Sequence, residues 1–220
     1  MSADGSPLLT DDAALASALN LLAAQDPALA AAQAEAGAPP LRRWPAGFGT
    51  LADVIIGQQV STSAAGAIKT RLRNQIDPLT PEGVLACNED ALRACGLSRQ
   101  KVTYLHDLAG HLADGRLNLD RLADQDDEAV IAALTDVRGI GRWTAEIYLL
   151  FALGRPDAWP AEDLALAVAV QHIRGLDARP KGRMMRSHAE AWRPWRGAAA
   201  HFLWHYYHHL TRRSAVLTVT

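Results

Sequence analysis

Residues 134–164, LTDVRGIGRWTAEIYLLFALGRPDAWPAEDL, constrain this chain more than any other stretch. The first half closes one apolar helix, turns through Arg138-Gly139-Ile140-Gly141, and opens another helix at Arg142. Two glycines two positions apart permit a tight turn and a close approach of a ligand to the backbone. The following helix adds N–H groups without intrahelical acceptors and the positive end of its dipole. A turn of this make between two helices suits an anion, phosphate above all. The second half turns again over residues 154–160 and delivers Glu162 and Asp163 to the start of a third helix. An acid there commonly caps the helix. It can equally face a cleft, favoured in its ionised form by the dipole, where it would stabilise a developing oxocarbenium ion. On pattern alone both readings stand.

The rest of the chain reads as further short helices. Start signals recur at Thr10-Asp11-Asp12, Asp26-Pro27, Val60-Ser61-Thr62-Ser63, Thr80-Pro81, Asn88, Ser98 and Asp126, each ahead of an apolar run. Helices are predicted over about 12–24, from 27 to the Gly37–Pro40 break, and over 50–58, 64–76 and 98–113. Others follow over 126–135, 142–153, 161–173, 184–192 and 197–210. Ala and Leu dominate while β-branched residues are sparse. The predicted class is all-α, with residues 1–8 a loose tail and 215–220 a short strand or an unstructured end.

Net charge is −2 over 220 residues, which on its face argues against a polyanionic partner. The distribution says otherwise. Residues 171–220 hold nine Lys/Arg against two acids, together with six of the eight histidines, whereas residues 112–136 hold seven acids against Arg116 and Arg121. A basic face can bind a polyanion whatever the sum. The two cysteines, Cys87 and Cys95, exclude an iron–sulfur cluster or zinc ribbon built on four thiolates. The N-terminus lacks the basic and apolar regions of a signal peptide, and no apolar run reaches membrane-spanning length. A reducing, cytoplasmic location is expected, nucleoid-associated in a bacterium.

Three further features carry chemistry. Trp143, directly after the glycine turn, could stack an electron-poor ring rather than fill a core. Gly57-Gln58-Gln59-Val60-Ser61 breaks an apolar helix with two amides; it is either a solvated helix end or a turn whose side chain enters DNA in place of an extruded base. His201, His205, His208 and His209 fall at helical spacing, but no acid is near and HExxH is absent. A solvated or phosphate-facing helix is expected there, ahead of a metal site.

Taken together, IIGQQVS at 55–61, GLSRQKVTYL at 96–105, VRGIGRWTAEIYLL at 137–150, PAED at 160–163 and WRPWRGAAAHFLWHYY at 192–207 resemble the helix-hairpin-helix DNA glycosylases. Within them the chain is similar to the 3-methyladenine DNA glycosylase II branch. The resemblance spans about residues 40–207 and rests on several motifs in order. It implies two helical lobes flanking an active-site cleft, one from 1–46 and 156–220 carrying the catalytic acid. The other, 47–155, contains the helix-hairpin-helix at about 134–153. Asp163 would be the catalytic aspartate, leaving Glu162 as a cap or surface residue. Gly139, Ile140, Gly141, Arg142 and Thr144 would form the hairpin that holds a DNA phosphate. Trp143, Trp204, Ile147 and Leu164 would line the base pocket, and Gln58, Gln59 or Ser61 would supply the wedge. The backbone carbonyls of Thr135, Val137 and Gly139 would match a monovalent-cation site, with no cofactor required and no iron–sulfur cluster. The partner would be double-stranded DNA containing alkylated bases, bound by a monomer.

Departures from the family pattern carry their own expectations. Trp143 stands where bifunctional relatives keep a lysine, so no Schiff base and no strand cleavage are expected. Few residues precede Leu41, so no N-terminal β domain is expected. Ile147 and Leu164 replace two tyrosines of the best-matching pattern, which predicts a wider pocket extending to N1-methyladenine and N3-methylcytosine. The alternative is a non-catalytic helix-hairpin-helix DNA-binding protein, for which the carboxylate at 163 would be dispensable. A third is a helical interaction module with no salt-dependent affinity for DNA.

Overall fold

The computed structural model describes residues 5–217. Among these, twelve α-helices and two short 3-10 turns account for all the regular structure, with no strand. The helix starts follow the sequence closely because capping is local. Asp11, Asp26, Ser61, Thr80, Asn88, Ser98 and Asp126 each accept a hydrogen bond from a backbone N–H two or three residues on. Each such cap is worth about 1 kcal/mol.

The chain divides into two compact units, Met1–Arg43 with Leu149–Thr220, and Trp44–Tyr148. The division passes through a continuous helix, α9 (Arg142–Phe151), whose last residue, Phe151, has its ring 5.3 Å from Trp204 and 5.1 Å from His201 in the first unit.

The first unit contains α1 (Asp12–Gln25), α2 (Pro27–Ala36), α10 (Leu164–Arg174), α11 (Arg183–Ala189) and α12 (Arg196–Leu217). Leu15, Leu22, Leu29, Val170, Met185, Trp192 and Phe202 are its fully buried core. Asp26, itself buried, pins that core. Its carboxylate accepts from the N–H groups of Ala28 and Leu29, from both terminal nitrogens of Arg174, and from Trp192 Nε1 at 2.7 Å. Burial alone would raise its pKa. The hydrogen bonds from Arg174, Trp192 and Leu29, with the charge of Arg174, outweigh burial and hold it below the usual 3.8. The expected strand or loose end at 215–220 is corrected in part: 215–217 continue α12, and 218–220 lie outside the described residues. Of the tail at 1–8, residues 1–4 also lie outside them.

His201 corrects another expectation. It is neither solvated nor phosphate-facing: it is 5% exposed, edge-on to Phe151, with Nε2 lacking a hydrogen-bond partner. Burial, then the charges of Arg42 and Arg43, push its pKa from 6.5 down to about 4. The neutral form is therefore the folded one. Above the unfolded value neither state is charged and the stability is complete. As pH falls from 6.5 towards 4 the unfolded chain takes up the proton first, so stability drops, by about 3 kcal/mol at most. Urea midpoints between pH 7.5 and 4.5 should fall less steeply for His201→Gln than for the wild type; parallel slopes would show that His201 does not titrate in this way.

The second unit contains α3 (Phe48–Gly57), α4 (Thr62–Gln75), α5 (Pro81–Ala86), α6 (Glu89–Ala94), α7 (Arg99–Ala113), α8 (Asp127–Thr135) and the first turns of α9. Leu51, Ile55, Ile56, Leu72, Leu105, Leu108, Leu134 and Tyr148 fill its centre. The helix predicted from residue 50 starts at Phe48 because Gly47, in a conformation that favours glycine (φ 133°), begins it with its N–H donated to Tyr148 Oη at 3.0 Å.

Candidate functional site

In the second unit, α8 and α9 enclose the turn at 136–141. Gly139 sits at φ +85°, and a Cβ there would lie 2.2 Å from the ring of Tyr104, so backbone and packing both require glycine. Gly141 has no such demand; the space beside it is open, which leaves room for a ligand. Ile140 is buried and anchors the turn, and Thr144 is buried on α9. Beneath the turn, Asp107 accepts from Arg138 N at 2.8 Å. The buried His111 meets Asp107 O at 2.8 Å and Asp136 at 3.2 Å. The first-turn N–H groups of α9 have no intrahelical acceptor. The hairpin is thus a stiff array of donors.

Arg142, expected in the phosphate-holding hairpin, is ion-paired within the protein. Its guanidinium pairs with Glu128 through two bonds and with Glu146 at 2.9 Å. Those partners, Glu128 first, raise its pKa despite some burial. Its side-chain charge is paired within the protein through three of the guanidinium's five N–H donors.

The turn after α3 separates its wedge candidates. Ser61 caps α4, accepting from Ala64 N at 3.2 Å. Gln58 reaches back across the unit and donates its amide to Gly139 O at 2.8 Å. Gln59 is the one non-glycine residue with positive φ (+56°) among the described residues and is exposed, as is Val60. A left-handed conformation at a non-glycine residue costs of order 1 kcal/mol and is a mark of function. The carbonyl of Ile56, at the end of α3, accepts from the buried Lys101 Nζ at 2.7 Å. Burial pushes that amine below its ordinary pKa.

A cavity of about 1100 Å³ opens beside this turn, wholly within the second unit. Trp44, Phe48, Gln58, Gln59, Trp143, Thr144 and Ile147 line it, with Asp53, Lys69 and Arg73. Trp143 is 39% exposed, whereas Ile147 is 4% exposed and forms part of the wall.

In the first unit, Asp163 is the N-cap of α10, not a residue of its first turn. Its Oδ1 accepts from Leu166 N at 3.0 Å and from Trp204 Nε1 at 3.2 Å. Trp204 leans on Phe151, which also carries Arg42 5.8 Å from its ring centroid. Glu162 is not the cap: it is an exposed partner of Arg186 at 3.5 Å. Leu164, 62% exposed, directly follows the carboxylate. Asp163, Leu164 and Trp204 thus belong to the first unit, and Trp143, Ile147, the hairpin and the wedge turn to the second.

Among the cation-site carbonyls, Val137 O accepts from Ile140 N and Gly139 O from Gln58, each keeping a second lone pair. Among the described residues no cluster of His, Cys, Asp or Glu could hold a metal. His205 Nε2 meets Ala36 O at 2.9 Å and His209 pairs with Glu35 at 3.3 Å. Sequence reasoning missed Tyr104, Phe151, Lys101 and the Glu128/Glu146 pair as supports. Tyr104 and Lys101 fall inside the GLSRQKVTYL motif and could have been weighed there.

A family model described as HhH-GPD superfamily base excision DNA repair protein matches residues 52–194. The chain is 34% identical over 154 residues to DNA-3-methyladenine glycosylase 1 of Schizosaccharomyces pombe, covering 68% of each protein. Its fold is similar to the crystal structure of a DNA-3-methyladenine glycosidase from Bacillus halodurans, with TM-score 0.78 and 32% identity over 85% of this chain and 87% of that one. It is also similar to the S. pombe 3-methyladenine DNA glycosylase in complex with abasic DNA, with TM-score 0.77 and 29% identity over 86% and 95%.

Proposed function

Because this chain belongs to the HhH-GPD superfamily of base excision DNA repair proteins, we propose that it is a monofunctional DNA glycosylase that removes 3-methyladenine and related alkylated bases. The observation that carries the reading is Asp163, a carboxylate seated by Leu166 N–H and Trp204 Nε1 at the start of α10. An N-alkylated base bears positive charge, so its glycosidic bond is already weak. The C1′–N bond breaks, its electron pair goes to the base and neutralises it, and the sugar becomes an oxocarbenium ion. The Asp163 carboxylate stabilises that cation. A water oxygen then bonds C1′ and loses its proton, leaving an abasic site. Trp204, which donates to the Asp163 carboxylate, offers an aromatic face to the cationic base. Trp143 supplies no amine, so no Schiff base forms and the strand stays intact.

The hairpin N–H groups of Gly139, Gly141 and Arg142 take a backbone phosphate. Carbonyls of Thr135, Val137 and Gly139, a neutral oxygen set, fit a monovalent cation, which would stiffen the turn. Gln59, with its neighbour Val60, is favoured as the wedge, because Gln58 and Ser61 are engaged inside the protein.

Substrate breadth is read from two residues taken separately, Ile147 in the second unit and Leu164 in the first. Both are smaller than tyrosine, and Ile147 borders a cavity far larger than one base needs. The enzyme accordingly selects more by lability than by fit, releasing N1-methyladenine and N3-methylcytosine as well as 3- and 7-methylpurines. Chromatographic identification of bases released from methylated duplexes tests this. Release of 3-methyladenine alone refutes the breadth, and release of nothing, with DNA still bound, refutes the enzyme in favour of a DNA-binding module.

A further inference from the structure

Of the nine Lys/Arg in residues 171–220, the fold spends four on its own carboxylates. Arg174 pairs with Asp26, Arg186 with Glu162, and Arg193 and Arg196 with Asp157. Arg179, Lys181 and Arg183 are treated otherwise. All three are exposed, and among the described residues none has an ion-pair partner, the neighbouring Asp177 included. Among the described residues Arg212 is also exposed without an ion-pair partner, near the end of α12, while these three fall within residues 179–183.

The segment that bears them is held in place. Leu176 N donates to Gln171 O at 3.0 Å, and the Gln171 amide returns to Leu176 O at 3.2 Å. Pro180 is buried, and Lys181 O accepts from Met184 N at 2.9 Å. At Gly182 the chain turns with φ +45°, and a Cβ there would lie 3.5 Å from Glu162 Oε1. Glu162 is the immediate neighbour of Asp163. The turn therefore rests against the Glu162 side chain, one residue before the N-cap of α10.

We propose that Arg179, Lys181 and Arg183 form a second phosphate-binding element, which grips the DNA backbone flanking the nucleotide presented to Asp163; this rests on the glycosylase reading above. A nucleotide whose sugar meets Asp163 necessarily brings its own phosphates close to that end of α10. Three like charges on one fixed turn repel one another, and among the described residues no acid is ion-paired with any of them. A polyanion does so, and DNA repeats its charge along a strand as this turn does along the chain. This element is ionic, unlike the hairpin, where the Arg142 charge is already offset and the donors are backbone dipoles.

The test is the salt dependence of affinity for an abasic-site duplex, measured for the full chain and for Arg179→Ser/Lys181→Ser/Arg183→Ser. Each phosphate contact contributes about 0.9 to the slope of log affinity against log salt, so the triple variant should lose about two to three from that slope and at least about tenfold in affinity at low salt. Arg179→Lys/Arg183→Lys should keep most of the wild-type slope, since the charge is retained. Base release at saturating enzyme in a single turnover should stay within about twofold, because the element holds DNA without touching the reacting atoms. An unchanged slope overturns the proposal, and is also what an acidic protein partner for this turn would give. The two readings fail separately: an unchanged slope with wild-type base release removes only this element, whereas a reduced slope with no base release removes the enzyme.

Discussion

Asp163→Asn is expected to abolish nearly all base release while leaving DNA affinity intact. Asparagine is nearly isosteric, and its amide oxygen can still accept from Leu166 N and Trp204 Nε1, so α10 keeps its cap and the tryptophan its partner. Only the negative charge is lost. A full charge placed against a developing oxocarbenium ion should be worth about a thousandfold, or ~4 kcal/mol of barrier. Single-turnover release of 7-methylguanine from alkylated duplex, with abasic-site affinity measured alongside, checks this. Near-wild-type release would take Asp163 out of the chemistry. Asp163→Ala is a poorer probe, because losing the cap costs about 1 kcal/mol as well and would blur the result.

The second large effect is on stability. Asp26→Ala removes the common acceptor of Arg174, Trp192 Nε1 and the first N–H groups of α2. A partly buried guanidinium and a buried indole N–H are then left without their carboxylate. Breaking such a pair costs about 3–5 kcal/mol, so the melting temperature should fall by roughly 10 °C for a chain of this size. Arg174→Met in the same background should restore part of the loss, since it removes the stranded charge. Additive losses in the double variant would mean that the pair is not coupled. The sign with pH also follows. The Asp26 carboxyl is held below 3.8, so its contribution is complete above that value and disappears as pH falls through the lower folded one.

These two residues show what could be read from the sequence. Asp26-Pro27 is legible as a helix start because a cap acts within three residues. Its bond to Arg174 spans 148 positions, and nothing in the local pattern points there. Glu162 and Asp163 pose as alternatives, cap or catalyst. Asp163 proves to be the cap of α10, and its bond to Trp204, 41 residues on, lies beyond any local pattern. The glycine turn is legible, yet the reason Gly139 must be glycine lies in the ring of Tyr104. Arg142 is legible as a cation at the turn, but its pairing with Glu128 and Glu146 is not. Charge counted along the sequence overstates the cations available to DNA, because ion pairing is settled in three dimensions.

The bond from Gln58 to Gly139 O has a practical consequence. One side-chain amide spans the two turns assigned to intercalation and to phosphate, so its two protons sit in unequal surroundings. In a nitrogen-15 correlation spectrum that pair should stand apart from those of solvent-exposed glutamines, and should shift when a strand docks on the hairpin. A single resonance then becomes a native gauge of engagement, needing neither a dye on the DNA nor a damaged base within it.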